Sequence, residues 1–414
     1  VLGPYRVLDL TNHRGLLCGQ VLADLGADVI QIEPPGGSPA RRLGPFAGDV
    51  VDPERSLFWW AYARNKRGAT LDVSGLEGRA LFLELVRKAD FVIESERPGT
   101  LAAWGLGHDT LATANPRIVT VSISAFGQTG PKAGWAESDI VLLAAGGPLF
   151  LQGDDDRAPV RLPVPQAYLH AGAEGAVAAL VAHHERERSG RGQHVDVSAQ
   201  QALALATQSY ILCDAVGSPQ VRRVAGGLKN GPLTLQLLFP AKDGHVAITF
   251  LFGSAIGRFS ERLMRWIHAE GGCDVATRDK DWIGYTELLL SGREPLAEFE
   301  RVKRVVADFT RTRTKADLLA AALANDLLIA PVATIDEVVD SPQLAVRDYW
   351  RSLPHADLDR EVRYPGPFAR FGGTPLAAGR RAPAIGEHNR EVFGDLLGLD
   401  AETVAHLAAT GVIA

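Results

Sequence analysis

The sequence predicts an α/β protein organised on an open parallel sheet, and three observations predict it. β-rich runs alternate with helical spacings at intervals of about thirty residues, the size of a right-handed βαβ unit. The 414-residue chain is too long for one ordinary core and suits two domains. Its composition is globular, with 46% hydrophobic and 22% charged residues.

The elements follow in order. YRVLDL, Tyr5 to Leu10, is a short strand; Gly15 to Gly26 carries Leu and Val at helical spacing; ADVIQIE, Ala27 to Glu33, is again strand-like and ends at Pro34-Pro35. The pattern repeats with a strand at Ala69 to Val73, a helix at Gly78 to Lys88, a strand at Phe91 to Glu94, a helical turn at Thr110 to Ala114 and a buried strand RIVTVSIS at Arg117 to Ser124. Such alternation makes a parallel sheet covered by helices. A long helix of small and apolar residues runs from Ala171 to His184, and the charged run HHERERSGRGQ that ends it is a solvated surface. HVDVS, His194 to Ser198, is a further strand, and Gln200 to Val216 a further helix.

The texture changes near Gly217. VGSPQVRRVAGGLKNGP is rich in glycine and basic residues and reads as a linker; LTLQLLFPAKDGHVAITF then reads as a hairpin turning at Lys242-Asp243-Gly244. Leu327 to Leu344 gives a strand and then a helix stopped at Ser341-Pro342, and a Pro- and Gly-rich tail leads to a last helix near Val392. The expected division is a large domain over 1–216, a linker over 217–231, a small domain over 232–316, a second linker over 317–330 and a return to the large domain over 331–414.

Composition excludes several functions. A net charge of −6 supplies no basic field to gather nucleic acid. Cys18, Cys213 and Cys273 lie far apart with no CxxC pair, so neither a metal site nor a disulfide framework is expected, and the compartment reads as reducing. No run is apolar for long enough to span a bilayer, and the expectation is a soluble, cytoplasmic protein. The stretch VPQAYLHAGAEG, Val164 to Gly175, has a proline entry and small residues opening a helix, a pattern expected where a backbone approaches a ligand.

In chain order the sequence carries GGSPAR, NKRGATLDV, RPG, SISAFGQTGP, GRGQHVDV, KDG, APVATIDEV and GEHNREV. With these in register it resembles the family III CoA-transferases, the CaiB/BaiF family, from Val7 to about Leu397. The resemblance implies a Rossmann-like large domain built from both chain ends, a smaller mixed α/β domain from the middle, and two chains interlocked as a dimer. It implies CoA transfer between an acyl-CoA and a carboxylic acid, with CoA as substrate and no tightly bound cofactor. In the family an aspartate attacks the thioester, forming a mixed anhydride and CoA thiolate.

By the same resemblance the nucleophile belongs in V-P-x-A-D-L-x-A-G, and the matching segment here is Val164-Pro165-Gln166-Ala167-Tyr168-Leu169-His170-Ala171-Gly172. Tyr168 occupies the aspartate's place, and a phenol with a pKa near 10 is a poor substitute for a carboxylate. The racemase branch of the family uses a G-H-D triplet, which here reads Glu137-Ser138-Asp139, so its histidine is also replaced. His170 is a candidate acid–base residue, and Asp139 is expected to be a structural hydrogen-bonding group. Asp154 to Asp156 read as a solvated turn, and Glu174 as pointing elsewhere.

Residues expected at CoA are Arg41, with Arg42 beside it, then Asn65, Lys66 and Arg67, Leu71, Ser95 and Arg97 of the loop Ser95-Glu96-Arg97-Pro98-Gly99, and Gly127 and Gln128. Glu96 in that loop, and Ala103 where the family often has arginine, put an acid beside a polyphosphate and remove a cation. The pattern resembles a nucleophile-lacking subunit of a heteromeric member, with a homologous Asp-bearing subunit as partner. An active interlocked homodimer with altered chemistry and a non-catalytic acyl-CoA binding protein are the alternatives. Neither nucleic acid nor membrane is an expected partner.

Overall fold

Six parallel strands form the frame of the larger of two units. The structure is a computed structural model that describes residues 1–217, 222–376 and 379–414. Its first unit comprises Val1–Pro148, Leu162–Gln208 and Pro342–Ala414, and its second comprises Leu149–Arg161 and Ser209–Ser341.

In the first unit the chain runs β1 (Arg6–Asp9), α1 (Leu16–Asp24), β2 (Asp28–Glu33), α2 (Leu57–Ala63), β3 (Arg67–Thr70), α3 (Leu76–Val86), β4 (Phe91–Glu94), α4 (Thr100–Ala103), α5 (His108–Ala114), β5 (Val119–Ser124), α6 (Asp139–Gly146), α7 (Ala167–Ser189), β6 (His194–Ser198) and α8 (Ala199–Leu205). The sheet order is β3-β2-β1-β4-β5-β6, all parallel. The order reverses direction between β1 and β4, and the carboxyl ends of those strands are where an open α/β sheet leaves a crevice for a ligand.

Alternation along the strands decides what each face holds. Leu8, Ile30, Ile32 and Val92 pack with Phe82 and Phe393 on one face. On the other, α7 closes against α1 and β5 because it carries no side chain at two contacts: a Cβ on Gly172 would lie 3.0 Å from Leu17, and one on Gly175 3.0 Å from Ile123. The small residues of the VPQAYLHAGAEG stretch therefore serve helix packing, where the sequence suggested approach to a ligand.

One buried ion pair ties the carboxyl ends together. Lys66, with no exposed surface, donates to Asp9 Oδ2 at 2.7 Å, Gln31 Oε1 at 2.9 Å and the Leu16 carbonyl at 3.0 Å. Asp9 Oδ1 accepts from the Thr11 N–H at 2.9 Å and the Thr11 hydroxyl at 2.6 Å. All three ammonium protons are engaged, and β1, β2, β3 and the start of α1 are held at one point.

The second unit contains α9 (Gln208–Ala215), β7 (Gly227–Asn230), β8 (Leu233–Gln236), β9 (Leu238–Ala241), β10 (Gly244–Ile248), α10 (Gly257–Ala269), α11 (Val275–Arg278), α12 (Tyr285–Leu290), α13 (Leu296–Arg311), α14 (Lys315–Asn325), β11 (Ile329–Pro331) and α15 (Ile335–Val339). β9 and β10 form the expected hairpin, extended by β11, over a core that includes Phe239, Phe250, Trp282 and Phe299. The chain returns to the first unit with α16 (Pro342–Val346), the hairpin β12 (Trp350–His355) and β13 (Arg360–Pro365), and α17 (Ala401–Ala409).

Both expected linkers are corrected. Residues 227–230 of the first pair with β8 as an antiparallel hairpin, while its residues 218–221 lie outside the described ones. The second, 317–330, is mostly α14 and β11: a Thr314–Asp317 capping box starts the helix and buried Leu318 and Ala322 anchor it. The smaller unit accordingly runs to Ser341 and recruits 149–161, where Asp154 accepts from the Ala225 N–H and Asp155 pairs with Lys229. Within the expected solvated turn Asp154 to Asp156, Asp154 and Asp155 hold that segment in place, while exposed Asp156 pairs only with Arg157.

Lys66→Met removes one member of a fully buried pair and should cost about 3–5 kcal/mol. A drop in the urea midpoint at unchanged slope is the expected reading; a midpoint within error of the parent contradicts the assignment.

Candidate active site

The crevice at the switch point is built from the loop after β1, the loop after β4, the end of β5 and the starts of α6 and α7. Ser95 Oγ accepts from the Asn12 N–H at 3.0 Å and donates to Asn12 Oδ1 at 3.2 Å, pinning the β1 loop to the β4 loop. Asn12 Oδ1 also accepts from the Arg14 N–H at 3.1 Å, which aims Arg14 across the crevice. Its guanidinium meets Glu137 at 2.7 Å.

Tyr168 stands in the second position of α7 and lines, with Arg14, Glu137, Glu96, Arg97 and Trp135, a cavity of about 140 Å³. It is 8% exposed, and its hydroxyl makes no hydrogen bond of good geometry. Burial and the negative charge of Glu137 push its pKa above the ordinary phenol value, with Arg14 opposing. His13 packs edge-on to the Tyr168 ring at 6.3 Å, and burial together with Arg14 lowers its pKa. At neutral pH both rings are uncharged, and the chamber contains no nucleophilic carboxylate in the nucleophile's position.

The frame around Tyr168 is nonetheless fully formed. Asp139 Oδ1 accepts from the N–H groups of Gln166 at 2.7 Å and Ala167 at 2.9 Å, capping α7 from outside the helix. That matches its expected structural role. His170 is exposed, and the residues lining the Tyr168 chamber do not include it, so the acid–base role expected of it is corrected: two positions along a helix is just over half a turn, which puts it on the opposite face. Ser138 is exposed as well.

A second cavity, of about 260 Å³, is lined by Ile32, Pro34, Leu71, Val73 and Asn12 and shares Glu96 with the Tyr168 chamber. Leu71 and Arg97 thus border the crevice, and Ser95 supports it through Asn12. Gly127 and Gln128 are held by Asp196, whose carboxylate accepts from the Gln128 N–H at 2.9 Å.

The residues Arg41, Asn65, Lys66 and Arg67, expected at CoA, are each engaged inside the protein. Arg41 is buried, donates twice to Glu33 at 2.6 and 2.8 Å, once to Glu54 at 3.0 Å and once to the Pro383 carbonyl at 2.9 Å, and stacks on Trp59. Asn65 bonds Asp24 and the Arg380 N–H, Lys66 is engaged with Asp9, and Arg67 holds Asp28. Each cation already faces a carboxylate inside the protein. The exposed neighbour Arg42 forms no ion pair among the described residues.

Arg14, His13, Glu137 and Trp135 were not singled out from the sequence. The signal for Arg14 is its place in the first βα turn of a doubly wound sheet, and Glu137 opens the Glu137-Ser138-Asp139 triplet. No helix among the described residues is long and apolar enough to cross a membrane, and they contain no cluster of metal-ligating side chains.

A parallel sheet in this order, with a chamber at its switch point, defines a doubly wound α/β protein. The model of CoA-transferase family III matches residues 2–389, and the chain belongs to that family, whose reaction is CoA transfer between an acyl-CoA and a carboxylic acid. It is 35% identical over 391 residues to the succinyl-CoA:(R)-benzylsuccinate CoA-transferase subunit BbsE of Thauera aromatica, covering 94% of this chain and 92% of that one. It is 33% identical over 416 residues to the succinyl-CoA–D-citramalate CoA-transferase of Chloroflexus aurantiacus, covering 100% and 98%. The crystal structure of a CaiB/BaiF family protein from Brucella suis superposes with a TM-score of 0.82 at 27% identity, covering 95% of this chain and 99% of that one.

Glu94, on β4 just before the crevice loop, is buried and accepts from the Glu96 N–H at 2.7 Å; burial pushes its pKa up to about 7. The raised folded-state value makes its protonated form compatible with the fold and its ionised form costly. Stability is therefore complete below the ordinary value of about 4.5 and is lost as pH rises through about 7. Glu94→Gln should stabilise the chain near pH 8 by up to about 3 kcal/mol and leave it unchanged below about pH 5. Urea unfolding at the two pH values measures this, and an equal effect at both contradicts it.

Proposed function

We propose that this chain is the nucleophile-lacking subunit of a heteromeric CoA-transferase, supplying walls and CoA contacts while a homologous subunit carries the attacking aspartate. The observation that carries the reading is Tyr168: a buried, uncharged phenol stands where the family's nucleophile belongs, on a helix whose start is still capped by Asp139. The name of the Thauera aromatica relative, a subunit of a CoA-transferase, supports it.

CoA would lie over the crevice with its adenosine end in the cavity of Ile32, Leu71 and Val73 and its thioester end toward Arg14, Trp135 and Tyr168. Arg42 and Arg97 are the cations free to meet its phosphates, and Glu96 lies between the two cavities. The acyl-transfer steps themselves need a carboxylate nucleophile, and the partner subunit would provide it within an interlocked pair. Altered chemistry in a homodimer is disfavoured because His170 is exposed, Glu137 beside Tyr168 is paired with Arg14, and His13 is uncharged.

The test is CoA exchange by the purified chain alone and co-purified with a homologous subunit bearing aspartate at the Tyr168 position. The chain alone should turn over at least ~10³-fold more slowly than the pair, as expected when a nucleophile is missing. Tyr168→Phe should leave the pair's kcat within about twofold, since the hydroxyl makes no hydrogen bond of good geometry among the described residues. Full turnover by the isolated chain would sink the subunit reading. Tyr168→Asp should give the isolated chain measurable transferase activity.

A further inference from the structure

Arg97 borders a third cavity, of about 200 Å³, that the CoA-transfer reading does not use. It exists because alternation along β5 sends Ile123 toward α7 and Thr120 and Ser122 to the opposite face, where α4 and α5 form only a partial cover. The floor is apolar, made by Val92, Leu101, Leu106 and Leu111.

Its polar wall is ordered and incompletely engaged. His194 Nε2 pairs with Ser122 Oγ at 2.9 Å and His108 Nδ1 with Thr120 Oγ1 at 2.7 Å, and the two imidazoles stack at 5.5 Å. Among the described residues Gln128 Nε2, itself buried, has no hydrogen-bond partner, and the exposed Arg97 has no ion-pair partner. A buried amide donor left unmet costs about 1–3 kcal/mol, so an acceptor placed there recovers it. One buried unmet donor and an exposed guanidinium above a hydrocarbon floor describe a ligand with an anionic oxygen head and a short apolar tail.

We propose that this cavity binds a short aliphatic carboxylate, with its oxygens on Arg97 and Gln128 and its hydrocarbon against Leu101, Leu106 and Leu111. The site is separate from the Tyr168 chamber and does not depend on the chain acting as a subunit. Arg97 borders both spaces, so an occupant here draws that guanidinium away from the chamber and couples the two.

Glu94 also lines the cavity, and a ligand carboxylate beside it favours its protonated form. The groups facing Glu94 are Glu96 and Arg97 on the following loop, Ser122 of β5, His194 and Asp196 of β6 and His108 of α5. Glu96 and Asp196 act in the same direction as the ligand. Binding therefore weakens as pH rises through about 7.

Calorimetric titration of the intact chain with butyrate, acetate and inorganic phosphate, near pH 6 and near pH 8, tests the site. Butyrate should bind about tenfold more tightly than acetate because two more methylenes are buried. Phosphate should not compete, and butyrate should bind more weakly at the higher pH, with Glu94→Gln flattening that dependence. Ala102→Trp fills the cavity from an exposed position of α4 and should weaken butyrate by more than about tenfold; Gln128→Met should weaken it about tenfold. Trp135→Ala, in the neighbouring chamber, should leave it unchanged. Absence of butyrate binding at millimolar concentration overturns the proposal, as does binding indifferent to both Ala102→Trp and Gln128→Met. Loss of binding in Trp135→Ala would place the carboxylate in the Tyr168 chamber, and phosphate binding as tight as butyrate would overturn the ligand class.

Discussion

The contact on which the site depends is the ion pair between Lys66 and Asp9. A charge with no exposed surface is tolerated only when all its protons are met, and here the acceptors come from β1, β2 and the first turn of α1. Because Asp9 also holds Thr11, the pair fixes where the chain leaves β1, and with it the direction of Asn12 and Arg14. Gly19 on α1 leaves the room this requires: a Cβ there would come within 1.9 Å of Asp9 Oδ2. The crevice is thus positioned from beneath by a polar knot that no ligand touches.

Much of the sheet was legible because strand patterning is local. Tyr5 to Leu10 and Ala27 to Glu33 contain the observed β1 and β2, and Phe91 to Glu94 coincides with β4. β3 lies earlier than its most apolar stretch, at Arg67–Thr70, because pairing with Ile30 to Glu33 and the Lys66 anchor set its register. The helix expected over Gln200 to Val216 is divided into α8 and α9, with Thr207 at the break bonding back to the Ala204 carbonyl. β12, β13 and α17 gave no clear periodic signal amid a Pro- and Gly-rich tail.

The roles of charged residues were much less legible than the strands. Arg41 and Lys66 lie in motifs in the correct register, but a motif does not reveal whether a cation faces outward to a ligand or inward to Glu33 or Asp9. That depends on which carboxylates the fold brings beneath it. Asp139 was read correctly because a carboxylate just ahead of a helix-forming segment has an evident task, supplying an acceptor to N–H groups that the helix cannot satisfy. Tyr168 was legible as a departure from the family pattern, while its raised pKa depends on its burial and on Glu137, with Arg14 opposing, neither of them adjacent in sequence.

The inward use of cations has a kinetic consequence. The chain has 43 basic and 49 acidic residues, and Arg41, Arg64, Lys66 and Arg67 each face a carboxylate at close range. Neutralised pairs project little field beyond a Debye length, so a polyanion approaching this surface is not drawn in from afar. The net charge of −6 repels it weakly instead, so its on-rate should rise modestly with ionic strength.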